Sequence, residues 1–147
     1  MNAIRLFKDK AAKTISNENW DFWQFAIGNY AGFENLGEGH ITGLDVISLS
    51  RKEIYEIKNR WNTDNKSSRT LNYSKLADFK REHPKYRCIY GVVNDKNPQG
   101  KIERLKSNGL TICYYSGNKL LCHIFGSEMH RIVMFLKGIV NHYLCPN

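Results

Sequence analysis

The hydrophobic pattern changes period several times along the chain, and each change marks an element. Ile4, Leu6, Phe7, Ala11 and Ile15 recur at helical spacing; Ser16-Asn17 breaks the run and caps a second helix over residues 19–30, carrying Trp20, Trp23, Phe25, Ala26 and Ile27. So many aromatics on one helix read as core packing. The segment 28–43 holds glycines at positions 28, 32, 37, 39 and 43 and reads as a loop in which backbone can approach something closely. A β-branched run over 41–48, a polar turn at 48–52 and an alternating run over 53–58 predict two adjacent antiparallel strands.

The polar stretch NTDNKSS at 62–68 is a loop, followed by a helix over 69–82 that His83-Pro84 ends. RCIYGVVN, residues 87–94, is a third strand, and GLTICYY, 109–115, a fourth; between them lie a loop around Pro98-Gln99-Gly100 and a short linker helix. In the last segment Met129, Ile132, Val133, Leu136, Ile139, Val140 and Tyr143 fall at steps of three and four, an amphipathic helix over 127–144 with one face for the sheet. A helical crossover joins the hairpin to the later strands, so the class is α/β: a mixed central sheet of four to five strands flanked by helices.

The chain has 147 residues, 41% apolar and 12% aromatic, enough for one well-buried core and short for two domains. A single domain over 1–147 follows, with N-terminal helices in 1–30, a core over 40–125 and the C-terminal helix. Lys and Arg number 22 against 14 Asp and Glu, a net charge of +8, which favours a polyanionic partner. Cys88, Cys113, Cys122 and Cys145 form no CxxC pair and read as reduced, mostly buried thiols rather than a zinc site. The first residues carry scattered charges and no secretory pattern, and no stretch reaches the roughly twenty apolar residues of a membrane span. The expected setting is cytoplasmic, with no membrane partner.

The candidate chemistry sits in the hairpin. Residues two apart on a strand share a face, so Glu56 and Lys58 project together while Tyr55 and Ile57 turn to the other side. Asp45 is expected mid-strand in the preceding element, its flanks Leu44 and Val46 pointing to the other face, where hairpin pairing brings its carboxylate beside Glu56. Apposed carboxylates repel unless a cation neutralises them, and hard oxygen ligands with open positions suit Mg²⁺ together with a substrate phosphate. A lysine beside them can orient or deprotonate an attacking water and offset charge on the phosphorane. The same residues also fit an exposed hairpin with a cross-strand salt bridge.

The stretch HITGLDVISLSRKEIYEIKNRWNTDNKSS resembles the catalytic core of PD-(D/E)XK restriction endonucleases. One type II subgroup, cutting short GGNCC- or GGWCC-like sites, is similar also in Ala26-Ile27-Gly28, in the Gly-x-Asp strand, in Glu-x-Lys-Asn followed by Asn-Thr and serines, and in Ser116-Gly117-x-x-Leu120. The resemblance spans residues 26 to about 125 and implies a restriction-endonuclease-like core and a site-specific type II deoxyribonuclease. It implies Asp45 and Glu56 as metal ligands, the Ile57 carbonyl as a further one, Lys58 as the catalytic lysine, and Asn59, Asn62 and Thr63 as supporting or DNA-contacting residues. The cofactor would be Mg²⁺, for which Mn²⁺ can substitute; the partners would be double-stranded DNA, a second copy of the chain and a cognate DNA methyltransferase.

Two departures stand out: Leu44 precedes the aspartate where the pattern has proline, and the acidic position on the helix before the core holds Asn29, leaving Glu18, Asp21 and Glu34 as substitutes. Arg60, Lys66 and Arg69, with Trp61 and Ser67, cluster after the catalytic strand, where a surface tracking the DNA backbone is needed. His40 precedes the Asp45 strand and could reach DNA or cap the glycine-rich loop. A junction-resolving nuclease of the same superfamily and a catalytically inactive DNA-binding module are the alternatives.

Overall fold

The computed structural model describes residues 22–62 and 64–144, with side chains up to 138. The helix expected over 4–15, the start of the one expected over 19–30, Thr63 and Cys145 lie outside the described residues. Elements run α1 (Phe22–Gly28), β1 (Glu34–Asn35), β2 (Val46–Ser48), β3 (Glu53–Arg60), α2 (Lys66–Glu82), β4 (Arg87–Asn94), β5 (Ile102–Ser107), β6 (Leu110–Ser116), α3 (Gly117–Phe125), a 3₁₀ turn (Gly126–Glu128) and α4 (Met129–Leu144). The sheet is mixed and flanked by helices, as expected, but has six strands in the order β1-β2-β3-β4-β6-β5. β1, β2 and β3 pair antiparallel, β3, β4 and β6 parallel, and β5 antiparallel to β6. α2 is the crossover that parallel pairing of β3 and β4 requires.

The two central strands explain the layering. Residues 53–57 of β3 and 88–93 of β4 are all buried, the signature of strands covered on both faces. On one side Tyr55, Ile57, Ile89 and Val93 pack with Ala26 and Ile27 of α1, Leu120 and Ile124 of α3 and Leu136 of α4. On the other, Ile54, Cys88, Tyr90, Val92 and Ile112 pack under Leu76 and Ala77 of α2. α1 can lie close to the sheet because its last residue is Gly28, where a Cβ would fall 2.1 Å from Asn35 Oδ1. Both edges are guarded: β1 is two residues long, and Ile102, Glu103, Arg104 and Lys106 of β5 are exposed.

Three local expectations are corrected. The strand expected over 41–48 is only Val46–Ser48, because Gly43 has φ +68° and the Thr42 hydroxyl accepts the Leu44 N–H (3.1 Å) while His40 Nδ1 accepts the Thr42 N–H (3.2 Å). These local bonds turn the chain instead of extending it. Asp45 therefore precedes the strand, and Leu44 packs with the α2 cluster while Val46 packs with the opposite one, so its flanks do not share a face. The linker expected as a helix is β5, closed onto β6 by Asn108 (φ +50°) and Gly109 (φ +78°), the positive-φ pair of a two-residue type I′ turn. Among the cysteines Cys88 is buried, its thiol pushed up to about 12 by burial, but Cys122 is exposed. Among the described residues no helix is long and apolar enough to cross a membrane.

Two polar contacts hold this arrangement. Asp45 Oδ2 accepts the Ile57 N–H at 2.8 Å while the Asp45 N–H donates to Tyr55 O at 3.0 Å, so a side chain continues the β2–β3 ladder past its last backbone pair. At the start of β3, Glu53 is 4% exposed; its carboxylate accepts the Tyr55 hydroxyl (2.8 Å), meets His123 Nε2 of α3 (2.6 Å) and lies 3.5 Å from Arg87 Nη1. Arg51, in the β2–β3 turn, donates to the His123 and Ile124 carbonyls at 2.9 and 2.8 Å, covering the end of α3.

Replacing Asp45 by Ala should cost about 1–3 kcal/mol, the scale of an orphaned buried donor, and speed hydrogen exchange at the Ile57 amide. Asp45→Asn, which keeps an acceptor oxygen, should retain most of the protection. Burial by itself would raise the Glu53 pKa, but hydrogen bonds from His123 and Tyr55 and the charges of His123 and Arg51 bring it below the ordinary 4.5. A carboxylate depressed in the folded state stabilises above its unfolded value and loses that contribution as pH falls through the folded one. Urea unfolding should therefore show stability falling as the pH drops below 4.5, with a shallower fall in Glu53→Gln.

Candidate functional site

β3 presents two chemistries by alternation. Tyr55 and Ile57 enter the α1/α3 core, as expected, while Glu56 and Lys58 share the other side with Ile54, under α2. Glu56 is 5% exposed; its Oε1 lies 3.1 Å from Lys58 Nζ, and its Oε2 is buried without a hydrogen-bond partner among the described residues. The pairing of Val46 with Tyr55 puts Asp45 opposite Glu56, one step beyond the last paired residue. The structure thus brings Asp45, Glu56 and Lys58 together, and Ile57, expected to offer a carbonyl, is bound to Asp45 through its N–H.

A further acid completes the cluster. Asp64, between β3 and α2, places Oδ1 3.6 Å from Lys58 Nζ, while its Oδ2 accepts the Asn72 amide (2.8 Å) and the Tyr90 hydroxyl (2.9 Å). In the sequence Asp64 is one polar residue in a polar loop; only the return of β4 beside β3, which brings Tyr90 under it, makes it part of the site. Of the substitutes considered for a third acid, Glu34 is exposed on β1, and Glu18 and Asp21 lie outside the described residues.

Electrostatics follow from this packing. Burial raises the Glu56 pKa above its ordinary value, reinforced by Asp64 and opposed by Lys58 and Lys75. Burial of the Lys58 ammonium would lower its pKa, but Glu56, Asp64 and Asp45 together hold it above the ordinary lysine value, so it is a cation at neutral pH. Three carboxylates face one half-buried ammonium, with Lys75 as a second positive charge acting on Glu56. Among the described residues no three or more His, Cys, Asp and Glu side chains are arranged to hold a metal ion. One or two carboxylates completed by water and phosphate are, however, the usual protein share of a Mg²⁺ site, and the buried, unpartnered Glu56 Oε2 fits such a cation.

The expected DNA-contacting residues divide. Arg69 donates to the Asp64 carbonyl (3.3 Å) and faces a groove beside the site; Arg60, Asn62, Lys66 and Ser67 are exposed at the end of β3 and in the first turn of α2, with Asn65 as its N-cap. Asn59 is a clamp: its carbonyl and side-chain oxygens accept from the Asn94 amide at 3.0 and 2.9 Å, fastening β3 to β4. His40 bonds to Thr42 and shapes the turn before Asp45, next to Lys75 and Asp78 rather than the groove. His123, which follows no ligand spacing, is the partner of Glu53.

No curated protein matches the chain. A model of the family described as Eco47II restriction endonuclease matches residues 7–130. That segment contains every strand of the sheet and all of Asp45, Glu56, Lys58 and Asp64. With most of its length covered by the match, the chain belongs to the Eco47II restriction endonuclease family, a family of DNA-cleaving hydrolases.

Proposed function

We propose that the chain is a Mg²⁺-dependent, site-specific type II restriction endonuclease acting on double-stranded DNA at the cluster of Asp45, Glu56 and Lys58. The observation that carries this reading is the buried Glu56 carboxylate, with one oxygen on Lys58 and the other without a partner among the described residues, inside the segment matched by the family. Asp45 and Glu56 would hold Mg²⁺, with the Ile57 carbonyl as a further ligand. Bound there, the ion supplies Lewis-acid polarisation of the phosphate and a more acidic water.

The chain's own residues supply the rest. The Lys58 ammonium offsets charge building on the phosphate oxygens and orients the attacking water. Asp64, itself fixed by Tyr90 and Asn72, holds Lys58 in place and is a positioning residue. Arg60, Lys66 and Arg69 give a cationic border for the DNA backbone, in keeping with the net charge of +8. One chain carries one such set, so cutting both strands at a symmetric site calls for a homodimer matching the two-fold symmetry of the DNA. A cognate methyltransferase would protect the host's own sites.

Plasmid DNA incubated with Mg²⁺ should give discrete bands, and a chelator should abolish them. Glu56→Gln and Lys58→Ala should each lower cleavage by at least ~10²-fold while duplex binding is kept. Asp64→Asn should lower kcat more than it changes KM. Undiminished cutting by Glu56→Gln would overturn the site assignment, and a random smear would overturn site specificity. Affinity for duplex should fall steeply with salt, and neutralising Arg60 or Lys66 should weaken binding to all sequences alike and flatten the salt slope. Sedimentation with a short duplex should show two chains per DNA.

A further inference from the structure

Beside the Glu56–Lys58 cluster the α2 side of the sheet opens into a groove of about 620 Å³, a volume typical of small-molecule sites. Its walls pair aromatic rings with cations: Trp61, Tyr73 and Tyr114 with Arg69, Lys96 and Lys101. Lys96 Nζ lies 5.8 Å from the Trp61 ring centre and Lys101 Nζ 5.2 Å from that of Tyr114. Trp61 is 46% exposed, unusual for so large an apolar ring. The groove's two acids are engaged: Glu103 pairs with Lys101 at 3.0 Å, and Asp95 accepts the Ser116 hydroxyl and the Lys96 N–H. Three cations, Arg69, Lys96 and Lys101, against these two carboxylates leave the groove with a net positive character.

The groove shares a wall with the candidate active site. Tyr90, stacked against Tyr114 at 5.7 Å and packed edge-on to Tyr73, donates its hydroxyl to Asp64, which pairs with Lys58. Trp61, on the groove wall, follows Lys58 by three positions in the chain. An exposed indole such as Trp61 beside cations suits a base with its phosphate, whereas Tyr114, stacked on Tyr90 and covered by Lys101, lines the wall behind it. A base paired within a duplex shows only its edges, whereas one outside the stack shows its π-face.

We propose that this groove receives an unpaired nucleotide of the substrate strand, its base stacked on Trp61 and its phosphate held by Arg69 and Lys96. The assignment rests on the DNA-cleaving reading and specifies where the strand next to the scissile phosphate goes. Trp61 is not in the hydrolytic cluster, so binding and cutting can be read separately.

The test is fluorescence anisotropy with a labelled single-stranded oligodeoxythymidylate and with a fully paired duplex of equal length. Trp61→Ala should weaken single-strand binding by about 5- to 150-fold, the equivalent of one lost base stack, and weaken duplex binding much less. Trp61→Phe, which keeps a ring, should retain most of the single-strand affinity. Equal losses on both DNAs, or losses in Arg69→Ala and Lys96→Ala with none in Trp61→Ala, would overturn the proposal in favour of a plain electrostatic track. Plasmid cleavage with Mg²⁺ separates the two readings. Cutting with no aromatic effect on single-strand binding removes the groove assignment alone, and an aromatic effect in a protein that never cuts keeps the groove and removes the hydrolytic reading.

Discussion

A carboxylate withdrawn from water is expensive unless positive charge or hydrogen bonds replace its hydration, and Glu56 sits under that constraint. Its strand is covered on both faces, so it cannot swing out to solvent. Lys58 is drawn to it along the same face, and Asp64 is drawn to Lys58. Asp64 in turn orients the Tyr90 hydroxyl and the Asn72 amide. The polar interior beneath α2 is a chain of mutual compensation that begins with one buried negative charge and ends with one oxygen still uncompensated among the described residues.

Glu53 shows what a finished version of the same problem looks like. It lies three residues earlier on β3, hence on the opposite face, and is as deeply buried. Its oxygens meet a tyrosine hydroxyl, an imidazole and a guanidinium, and its pKa falls, whereas that of Glu56 rises. A satisfied buried acid ties the strand to α3 and has nothing left to offer. The other retains capacity for a ligand. The contrast separates a structural glutamate from one suited to chemistry, two residues that a strand pattern alone treats alike.

That contrast also marks how far the sequence could be read. The parity of Glu56 and Lys58 was legible because a strand's period is two, and the bounds of β4 were legible because the apolar run CIYGVV sits between polar Arg87 and Asn94. The crossover over α2 followed from the helical pattern between strands. β5 was not foreseen because its exposed, charged residues imitate a helix, although Asn108-Gly109 carried a hairpin signal of its own. The shortened β2 depended on side-chain hydrogen bonds of His40 and Thr42. Asp64, Tyr90 and His123 join their clusters through parallel pairing and helix docking, contacts between residues 26 and 70 positions apart in the chain that leave no local trace.

The borders of the sheet carry a different consequence. A strand with free backbone groups is a template on which another chain can add, and such growth does not stop at two. Here one margin is only two residues long and the other displays Glu103, Arg104 and Lys106. Among the described residues, extension of the sheet from copy to copy is discouraged at both ends. The fold keeps its sheet private, and a protein concentrated along a polyanion is thereby shielded from ribbon-like aggregation.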